Sequence, residues 1–411
     1  TLSDFDGSGT AYTATFTPSG DGATTIKVLA DKFTDDGGNN NTVSNTFTWT
    51  YDGTRPTVTS FTTATDSGSY NEGEEIVITA NTSEAIQNNN TITVTLDTGE
   101  TVVLTAGSAG TTLVGTYTVG LGDNSSALTI SSFTIGTVAD SVGNAMISTT
   151  LPASSSIFGS KTIIIDTTAP TAAITYTGAG GSPYKQGDTV TITATFTEAL
   201  TTTPKIAIAG SGIANVVATD MSEGDTALIW TYTYDVPTGD GTGTISLSVG
   251  TDAAGNTVTS TPTSGDEFTV DNTAPSLTQV TAITTPGNDN TPSYVFTTNE
   301  AGTITSNLVF TTTTSASTGS SQTITFNTLD DGTYSGKTVT VTDTAGNAGS
   351  ITIPDFVIET VAPTITNVTS STANGIFTTG DEISIQVTLS ESVTVVGTPT
   401  LTLETGSSDT N

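Results

Sequence analysis

The sequence has no cysteine and no histidine, and it sets only seven lysine and arginine residues against 40 aspartate and glutamate residues. Without cysteine there are no disulfides or thiolate metal sites, and without histidine there are no imidazole ligands or serine–histidine catalytic pairs. The formal net charge of −33 argues against nucleic acid and anionic membranes as partners, and it favours cations. No run of about 18 apolar residues exists, so we expect no membrane insertion of this segment.

The composition that remains favours β-structure. About a quarter of the 411 residues are threonine, and glycine is also abundant at 42 residues. Threonine suits pleated strands, whereas glycine suits the turns between them. Runs such as EIVITAN (75–81), VTITATF (190–196) and EISIQVT (382–388) place an apolar residue at every second position, which predicts folded strands with one buried face. No amphipathic helical stretch is present.

An acidic residue recurs four positions before a proline. The pairs are Asp52 with Pro56, Asp166 with Pro170, Asp271 with Pro275, and Glu359 with Pro363. Proline fixes its own φ angle and restricts the preceding residue to extended conformations. We therefore expect each pair to mark a short, straight linker.

Two further acidic motifs recur in step with this linker. A glutamate follows the first strongly alternating strand after each proline, at Glu84, Glu198, Glu300 and Glu391. An Asp-x-x-Gly-Asn motif precedes the last strand of each repeat, at Asp35 with Asn39, Asp140 with Asn144, Asp252 with Asn256, and Asp343 with Asn347. A repeat of this length with many short strands predicts tandem immunoglobulin-like β-sandwiches.

The repeat predicts three complete domains between two half domains. The predicted units are the N-terminal half unit (1–53), the first complete unit (54–166), the second complete unit (167–271), the third and shorter complete unit (272–359), and the C-terminal half unit (360–411). These names are used below for these ranges.

The combination of DTTAPT (166–171), a glutamate after the second strand and DAAGN (252–256) resembles the bacterial immunoglobulin-like repeats (Big-type, cadherin-like) of giant surface adhesins and biofilm proteins. The resemblance covers essentially the whole chain. It implies an extended stalk at the bacterial cell surface, often stiffened by calcium. It is specific for the class of repeat and says little about any particular function.

Strand parity predicts that the three motifs meet. If the strands of a sandwich run alternately up and down, the linker, the end of the second strand and the Asp-x-x-Gly-Asn turn lie at the same pole. The complete sets are Asp52, Glu84, Asp140 and Asn144; Asp166, Glu198, Asp252 and Asn256; and Asp271, Glu300, Asp343 and Asn347. The half units supply partial sets, Asp35 with Asn39 and Glu359 with Glu391.

Crowded carboxylates repel one another, and a divalent cation would neutralise them. Calcium accepts six to eight oxygen ligands in loose geometry, whereas magnesium requires a stricter octahedron, so we predict interdomain calcium sites. Two alternatives stay open. The motif is also a good turn around a left-handed glycine, and most of the acidic residues lie outside the motifs, as in a halophilic surface.

Several other motifs have simpler interpretations. The Gly-acid pairs Gly73-Glu74, Gly187-Asp188 and Gly380-Asp381 are either ordinary turns or donors of a ligand to the following junction. DFDGSG (4–9) resembles the start of an EF-hand loop but is predicted to be a hairpin turn, because strands flank it. GDGTG (239–243) and LDDG (329–332) are predicted to be a turn and a solvated bend.

The function that we predict is structural and non-enzymatic: an extracellular stalk or fibre segment of a bacterial surface adhesin. One alternative is a self-assembling filament or surface layer, in which the C-terminal half unit is completed by the N-terminal half unit of the next chain. The simpler explanation of the half units is that the sequence is a window of a longer repeat array. A further alternative is a carbohydrate-binding module for surface glycans, which rests on the alternating aromatic residues Trp230, Tyr232 and Tyr234. Core packing is the favoured explanation of that stripe, because Thr231 and Thr233 make the other face of the strand polar.

Overall fold

The computed structural model describes residues 1–153, 158–312, 314–405 and 408–410. Within these ranges every regular element is a β-strand, and there is no helix. The strands lie in many small, mainly antiparallel sheets. The prediction of an all-β, sandwich-type fold is therefore confirmed.

The N-terminal half unit consists of two hairpins. Its strands are β1 (Leu2–Ser8), β2 (Ala11–Phe16), β3 (Gly22–Ile26) and β4 (Phe47–Tyr51). Strand β1 pairs with β2, and β3 pairs with β4, both antiparallel. The DFDGSG segment was predicted to be a hairpin turn, but residues 4–8 lie in strand β1 and only Gly9 lies in the turn between Ser8 and Ala11.

The first complete unit contains a six-stranded and a three-stranded sheet. Its described strands are β5 (Val58–Thr63), β6 (Gly68–Tyr70), β7 (Glu75–Ile86), β8 (Thr91–Leu96), β9 (Thr101–Thr105), β10 (Gly110–Thr118), β11 (Asn124–Ser125), β12 (Ile130–Thr137) and β13 (Ile163–Asp166). The sheet orders are β12-β8-β9-β10-β7-β5 and β11-β13-β6, and β13 is parallel to β6.

The second complete unit is a sandwich of two four-stranded sheets. Its strands are β14 (Ala172–Thr177), β15 (Thr189–Phe196), β16 (Lys205–Ser211), β17 (Val216–Asp220), β18 (Ser222–Glu223), β19 (Ile229–Asp235), β20 (Gly241–Ser248) and β21 (Glu267–Val270). The orders β14-β15-β19-β18 and β17-β16-β20-β21 place the first, second, fifth and sixth strands in one sheet and the other four in the second sheet. This division is immunoglobulin-like, with β17 as an additional strand beside β16.

The third complete unit repeats this plan with shorter strands. They are β22 (Leu277–Thr281), β23 (Ser293–Thr298), β24 (Gly302–Ser306), β25 (Ser315–Ala316), β26 (Ser321–Thr325), β27 (Gly332–Tyr334), β28 (Lys337–Thr342), β29 (Ala348–Ile353) and β30 (Phe356–Ile358). The sheet orders are β22-β23-β26, β25-β24-β28-β29 and β27-β30. The C-terminal half unit contributes β31 (Ile365–Ser370), β32 (Ile385–Leu389), β33 (Leu403–Thr405) and β34 (Ser408–Thr410).

Each complete unit encloses its own hydrophobic core. The three clusters of buried residues lie within residues 58–165, 172–270 and 283–358. Alternation along the strands produces them: in β15 Val190, Ile192 and Ala194 are buried, whereas Thr191 and Thr193 lie on the other face. Each large aliphatic side chain buried in this way contributes about 1.5–3 kcal/mol.

The aromatic stripe of β19 belongs to the second core. Trp230 and Tyr234 are buried, and Tyr232 packs against the same cluster. The ring centroids of Tyr234 and Phe268 are 5.3 Å apart, in an edge-to-face arrangement. The interpretation as core packing is confirmed, and these rings form no exposed platform for a sugar.

The half units lack such cores within their described residues. In the N-terminal half unit Phe5, Tyr12 and Phe47 are more than half exposed, at 59%, 57% and 61%. In the C-terminal half unit Ile365 and Val368 are exposed at 61% and 57%. Each half unit therefore leaves large apolar side chains exposed.

Candidate metal centres

The strand register brings the linker to the end of the second long strand. The start of the first strand pairs with that end in all three complete units: Val58 with Thr82, Ala172 with Phe196, and Leu277 with Thr298. In the first complete unit the Asp-x-x-Gly-Asn turn reaches the same end, because Asp140 forms a β-bridge with Ile86. Three segments that are distant in sequence meet here.

The predicted acids converge three times. One carboxylate oxygen from each member of a set lies within 4.8 Å of the others, in site 1 (Asp52, Glu84, Asp140), site 2 (Asp166, Glu198, Asp252) and site 3 (Asp271, Glu300, Asp343). Asp140 and Asp252 are buried, and the other members are half-buried. Three carboxylates, each with two oxygens, form a donor set that could hold a metal ion.

The Asp-x-x-Gly-Asn turn fixes its aspartate through the backbone. In site 1 the Oδ1 atom of Asp140 accepts bonds from the backbone N–H groups of Val142, Gly143 and Asn144, at 2.9, 2.7 and 2.8 Å. Gly143 has a φ of 102°, a left-handed conformation that requires glycine. The predicted turn is present, and it orients a carboxylate.

The asparagine of the motif ties this turn to the linker. The amide nitrogen of Asn144 donates to Asp140 Oδ2 at 2.7 Å and to the backbone carbonyl of Asp52 at 3.0 Å. Asn256 and Asn347 make the equivalent pairs of bonds, with linker distances of 2.9 Å to Asp166 and 2.9 Å to Asp271. The amide nitrogen of each asparagine thus positions the acids.

The linker acids are held in one orientation. The Oδ1 atoms of Asp52, Asp166 and Asp271 accept the N–H of the residue two positions later, at 3.1, 3.0 and 3.0 Å. This is the usual bond of an aspartate in a turn. It leaves the Oδ2 atom of each linker acid without a bond to that backbone segment.

Electrostatic strain concentrates on the glutamates. Burial, followed by the charges of Asp52 and Asp140, raises the pKa of Glu84, and burial together with Asp271 and Asp343 raises the pKa of Glu300. In site 2 burial and the neighbouring Asp166 and Asp252 raise the pKa of Glu198. Glu84 Oε1 and Glu300 Oε2 are buried and have no hydrogen-bond partner among the described residues.

Hydrogen bonding has the opposite effect on the turn aspartate. Burial acts to raise the pKa of Asp140, but bonds from the Asn144 side chain and from the turn backbone outweigh it and lower the pKa. Site 1 therefore combines a firmly ionised aspartate with a glutamate that resists ionisation. A cation would relieve the strain on the glutamate.

The half units contain the same parts in separate places. The Asn39 side chain and backbone donate to Asp35 at 3.0 and 2.9 Å, and these bonds lower the pKa of Asp35. At the other end, a hydrogen bond with Glu359 raises the pKa of Glu391. The turn and the glutamate pair are thus prearranged as in the complete units.

The Gly-acid pairs act first as turn residues. Glu74 Oε2 accepts the N–H of Asn71 at 2.8 Å, and Asp188 Oδ2 accepts the N–H of Lys185 at 3.0 Å. The lysine of the second turn does reach the following unit, because its Nζ donates to the carbonyl oxygen of Gly346 at 2.8 Å. The contact of this turn with the following unit is thus made by the lysine, whereas Asp188 bonds within its own turn.

A further set of side chains contacts the linkers and was not predicted from the sequence. Asp21, Asn124, Asp240 and Asp331 lie just before or at the start of a strand, and each accepts hydrogen bonds from the next linker. The predictions of a turn at GDGTG and a solvated bend at LDDG overlooked these bonds. The signal in the sequence was Asp-Gly or Asp-Asn at 21–22, 123–124, 240–241 and 331–332.

The described ranges contain no helix long and apolar enough to cross a membrane. The chain matches no protein-family model and no curated protein sequence.

Proposed function

We propose that the chain is a structural, non-enzymatic segment of an extracellular stalk or fibre, and that calcium bound at sites 1 to 3 stiffens its junctions. The observation that carries this proposal is the convergence of three sequence-distant acids at each of three successive linkers. A turn motif alone would not require the glutamate and the linker acid to meet it. The resemblance to bacterial adhesin repeats supports a location at the cell surface, within an adhesin or biofilm protein.

Calcium fits these donors better than magnesium does. The carboxylates come from a linker, a strand end and a turn, and calcium tolerates the irregular geometry that such a set offers. The seven basic residues of the chain cannot neutralise 40 acidic ones. Salt bridges reflect this shortage: among the described residues Lys161 pairs with Asp66 and Lys205 pairs with Asp220, and neither pair includes a site acid.

Unfolding measurements with calcium, magnesium and chelator test the proposal. A ligand that binds only the folded state stabilises it by about 2.7 kcal/mol at a concentration about 100 times its Kd. We expect calcium to raise the melting temperature in a saturable manner, and the variant Glu84→Gln/Glu198→Gln/Glu300→Gln to lose most of this response. If sodium chloride at equal ionic strength produced the same rise, the halophilic explanation would replace the calcium sites.

We propose a second function, head-to-tail assembly, on a different observation. The two half units expose large apolar side chains, and they carry complementary parts of one metal site: Asp35 with Asn39 on one, Glu359 with Glu391 on the other. A C-terminal half unit completed by the N-terminal half unit of another copy would bury these side chains. Analytical ultracentrifugation tests this, because a chain that stayed monomeric at high concentration in calcium would exclude it.

The carbohydrate-binding alternative loses its support. Its only basis was the stripe of Trp230, Tyr232 and Tyr234, and these side chains pack in or against the second core. We therefore do not propose it.

A further inference from the structure

Each linker is held by a side chain of the unit that precedes it. The Oδ1 atom of Asp240 accepts the N–H of Asn272 at 2.5 Å, and its Oδ2 atom accepts the hydroxyl of Thr273 at 2.8 Å. These two donors directly follow Asp271, the linker acid of site 3. The exposed carboxylate of Asp240 thus hydrogen-bonds the two residues that directly follow the site 3 acid Asp271.

The same arrangement occurs at the other linkers. Asp21 accepts the N–H of Gly53 at 2.7 Å and also the hydroxyl of Thr54. Asp331 accepts the N–H and the hydroxyl of Thr360 at 3.0 and 2.8 Å. The donors again stand directly after the linker acid, so the geometry is a repeated feature of the fold.

The second linker uses an amide in place of the carboxylate. The Oδ1 atom of Asn124 accepts the N–H of Thr167 at 3.1 Å and the hydroxyl of Thr168 at 3.4 Å. An oxygen acceptor is therefore the shared requirement, and a negative charge is not. Asp21, Asn124, Asp240 and Asp331 are called the linker clamps below.

The following unit holds the linker from its other side. Asn347, in the third complete unit, donates to the carbonyl oxygen of Asp271, and the other acids of site 3 also belong to that unit. Only the linker acid of each site belongs to the preceding unit, at the end of its last strand or directly after it. A cation therefore contacts that unit through this one residue, and the clamp adds a second point of attachment.

We propose that the linker clamps are positioning residues that transmit cation binding to the orientation of the preceding unit. The inference rests on the proposed function, since it concerns how a cation bound at a site acts on both neighbours. The clamp ties the linker to one unit, and the cation with the asparagine ties it to the other. Together they hold the linker on both sides, in addition to the backbone bond that the N–H of Asp271 donates to the carbonyl oxygen of Tyr184 at 2.8 Å.

At the junction between the second and third complete units, Lys185 bonds Gly346. The Asn272 side chain donates to the carbonyl oxygens of Gly239 and Pro237 and accepts the N–H of Gln186. A full-length parent carrying Lys185→Met and Asn272→Ala leaves the clamp as the remaining side-chain tie of this linker to the second unit. Because the chain has no cysteine, Val217→Cys and Val309→Cys give two unique spin-label sites at positions that are 80% and 70% exposed.

Double electron–electron resonance spectroscopy then measures the distribution of distances between the two spin labels, one on each side of the junction. In calcium we expect a narrow distribution for the parent and for the variant Asp225→Ala, which removes an exposed acid of the same unit. Asp240→Ala should broaden the distribution even in saturating calcium, while calorimetry still detects calcium binding at site 3. Asp240→Asn should restore the narrow distribution, because Asn124 does the same work with an amide.

The failures of the two proposals are distinguishable. Equal distributions for Asp240→Ala and Asp225→Ala in calcium would overturn the clamp. Broadening that Asp240→Asn failed to reverse would also overturn it, since an oxygen acceptor would then not be the requirement. If the parent gave the same distribution in calcium and in chelator, the proposed function would fail, because that comparison does not involve Asp240.

Discussion

At the scale of single residues, the asparagine of the Asp-x-x-Gly-Asn motif matters as much as the acids. Its amide nitrogen bonds the turn aspartate and the linker carbonyl in all three complete units. Groups that orient metal ligands in this way are commonly worth about 10–100-fold in affinity. The sequence identified this residue as a possible ligand, and the structure shows how it supports the neighbouring carboxylates.

We predict that Asn256→Ala weakens calcium binding at site 2 by about tenfold or more, since outer-shell partners have effects of this size. Asn215→Ala is the matched control, because Asn215 bonds the backbone N–H of Gly210 and touches no site acid. Calorimetric titration of the two full-length variants measures the difference. Equal affinities would show that the asparagine does not orient the site.

The glutamates predict a pH dependence of the cation-free protein. A glutamate whose pKa is raised on folding binds more protons in the folded state, so stability increases as pH falls through the window between the two pKa values. For Glu84, Glu198 and Glu300 we expect the chelator-treated chain to gain stability as pH falls from neutral toward 4.5, their ordinary value. Acid should also displace calcium, because the same protons compete for the same oxygens.

Urea unfolding at several pH values, with and without calcium, measures this effect. The variant Glu84→Gln/Glu198→Gln/Glu300→Gln should show a flatter profile in chelator. A wild-type chain whose stability in chelator fell steadily from neutral pH toward 4.5 would contradict the assignment.

At the scale of strands and turns, period-two alternation was sufficient to predict the cores. It placed Val190, Ile192 and Ala194 on one face of β15, where they are buried. It did not predict the six-stranded sheet of the first complete unit, because the pairing of β9 with β10 depends on a contact between strands that no local pattern specifies. Glu84 was expected after its strand but lies inside β7, where the register shifts.

The two tryptophans offer a test of the core assignment. Trp230 is 6% exposed within the second core, so Trp230→Ala should destabilise this unit by about 3–5 kcal/mol. Hydrogen exchange should show lost protection in residues 167–271, with the third complete unit unaffected. Trp49→Ala, in the N-terminal half unit, should leave protection of 167–271 unchanged; equal protection in both variants would contradict a buried Trp230.

At the scale of the whole molecule, the sequence predicted which acids meet but not what joins one unit to the next. The prediction that the acids meet needed only the alternating direction of successive strands, which is a property of the fold class. The clamps and the Lys185 bond depend on where the turns of two different units approach each other. Such contacts depend on tertiary positions that a single sequence does not specify.

The proposed stiffening predicts a change in the solution shape of the full chain. Small-angle scattering should give a larger maximum dimension and a narrower range of conformations in calcium than in chelator, because each bound cation removes freedom at one linker. Magnesium should have a smaller effect, since it dehydrates reluctantly. Identical scattering curves in calcium and in chelator would show that the cation does not stiffen the junctions.

A calorimetric calcium titration of the full chain at fixed ionic strength measures whether sites 1 to 3 bind calcium. We predict saturable binding that Glu84→Gln/Glu198→Gln/Glu300→Gln greatly weakens, whereas three glutamine substitutions at the exposed acids Glu72, Glu100 and Glu223 leave it nearly unchanged. Equal binding by both triple variants, or a heat signal that depends only on ionic strength, would contradict calcium binding at these sites.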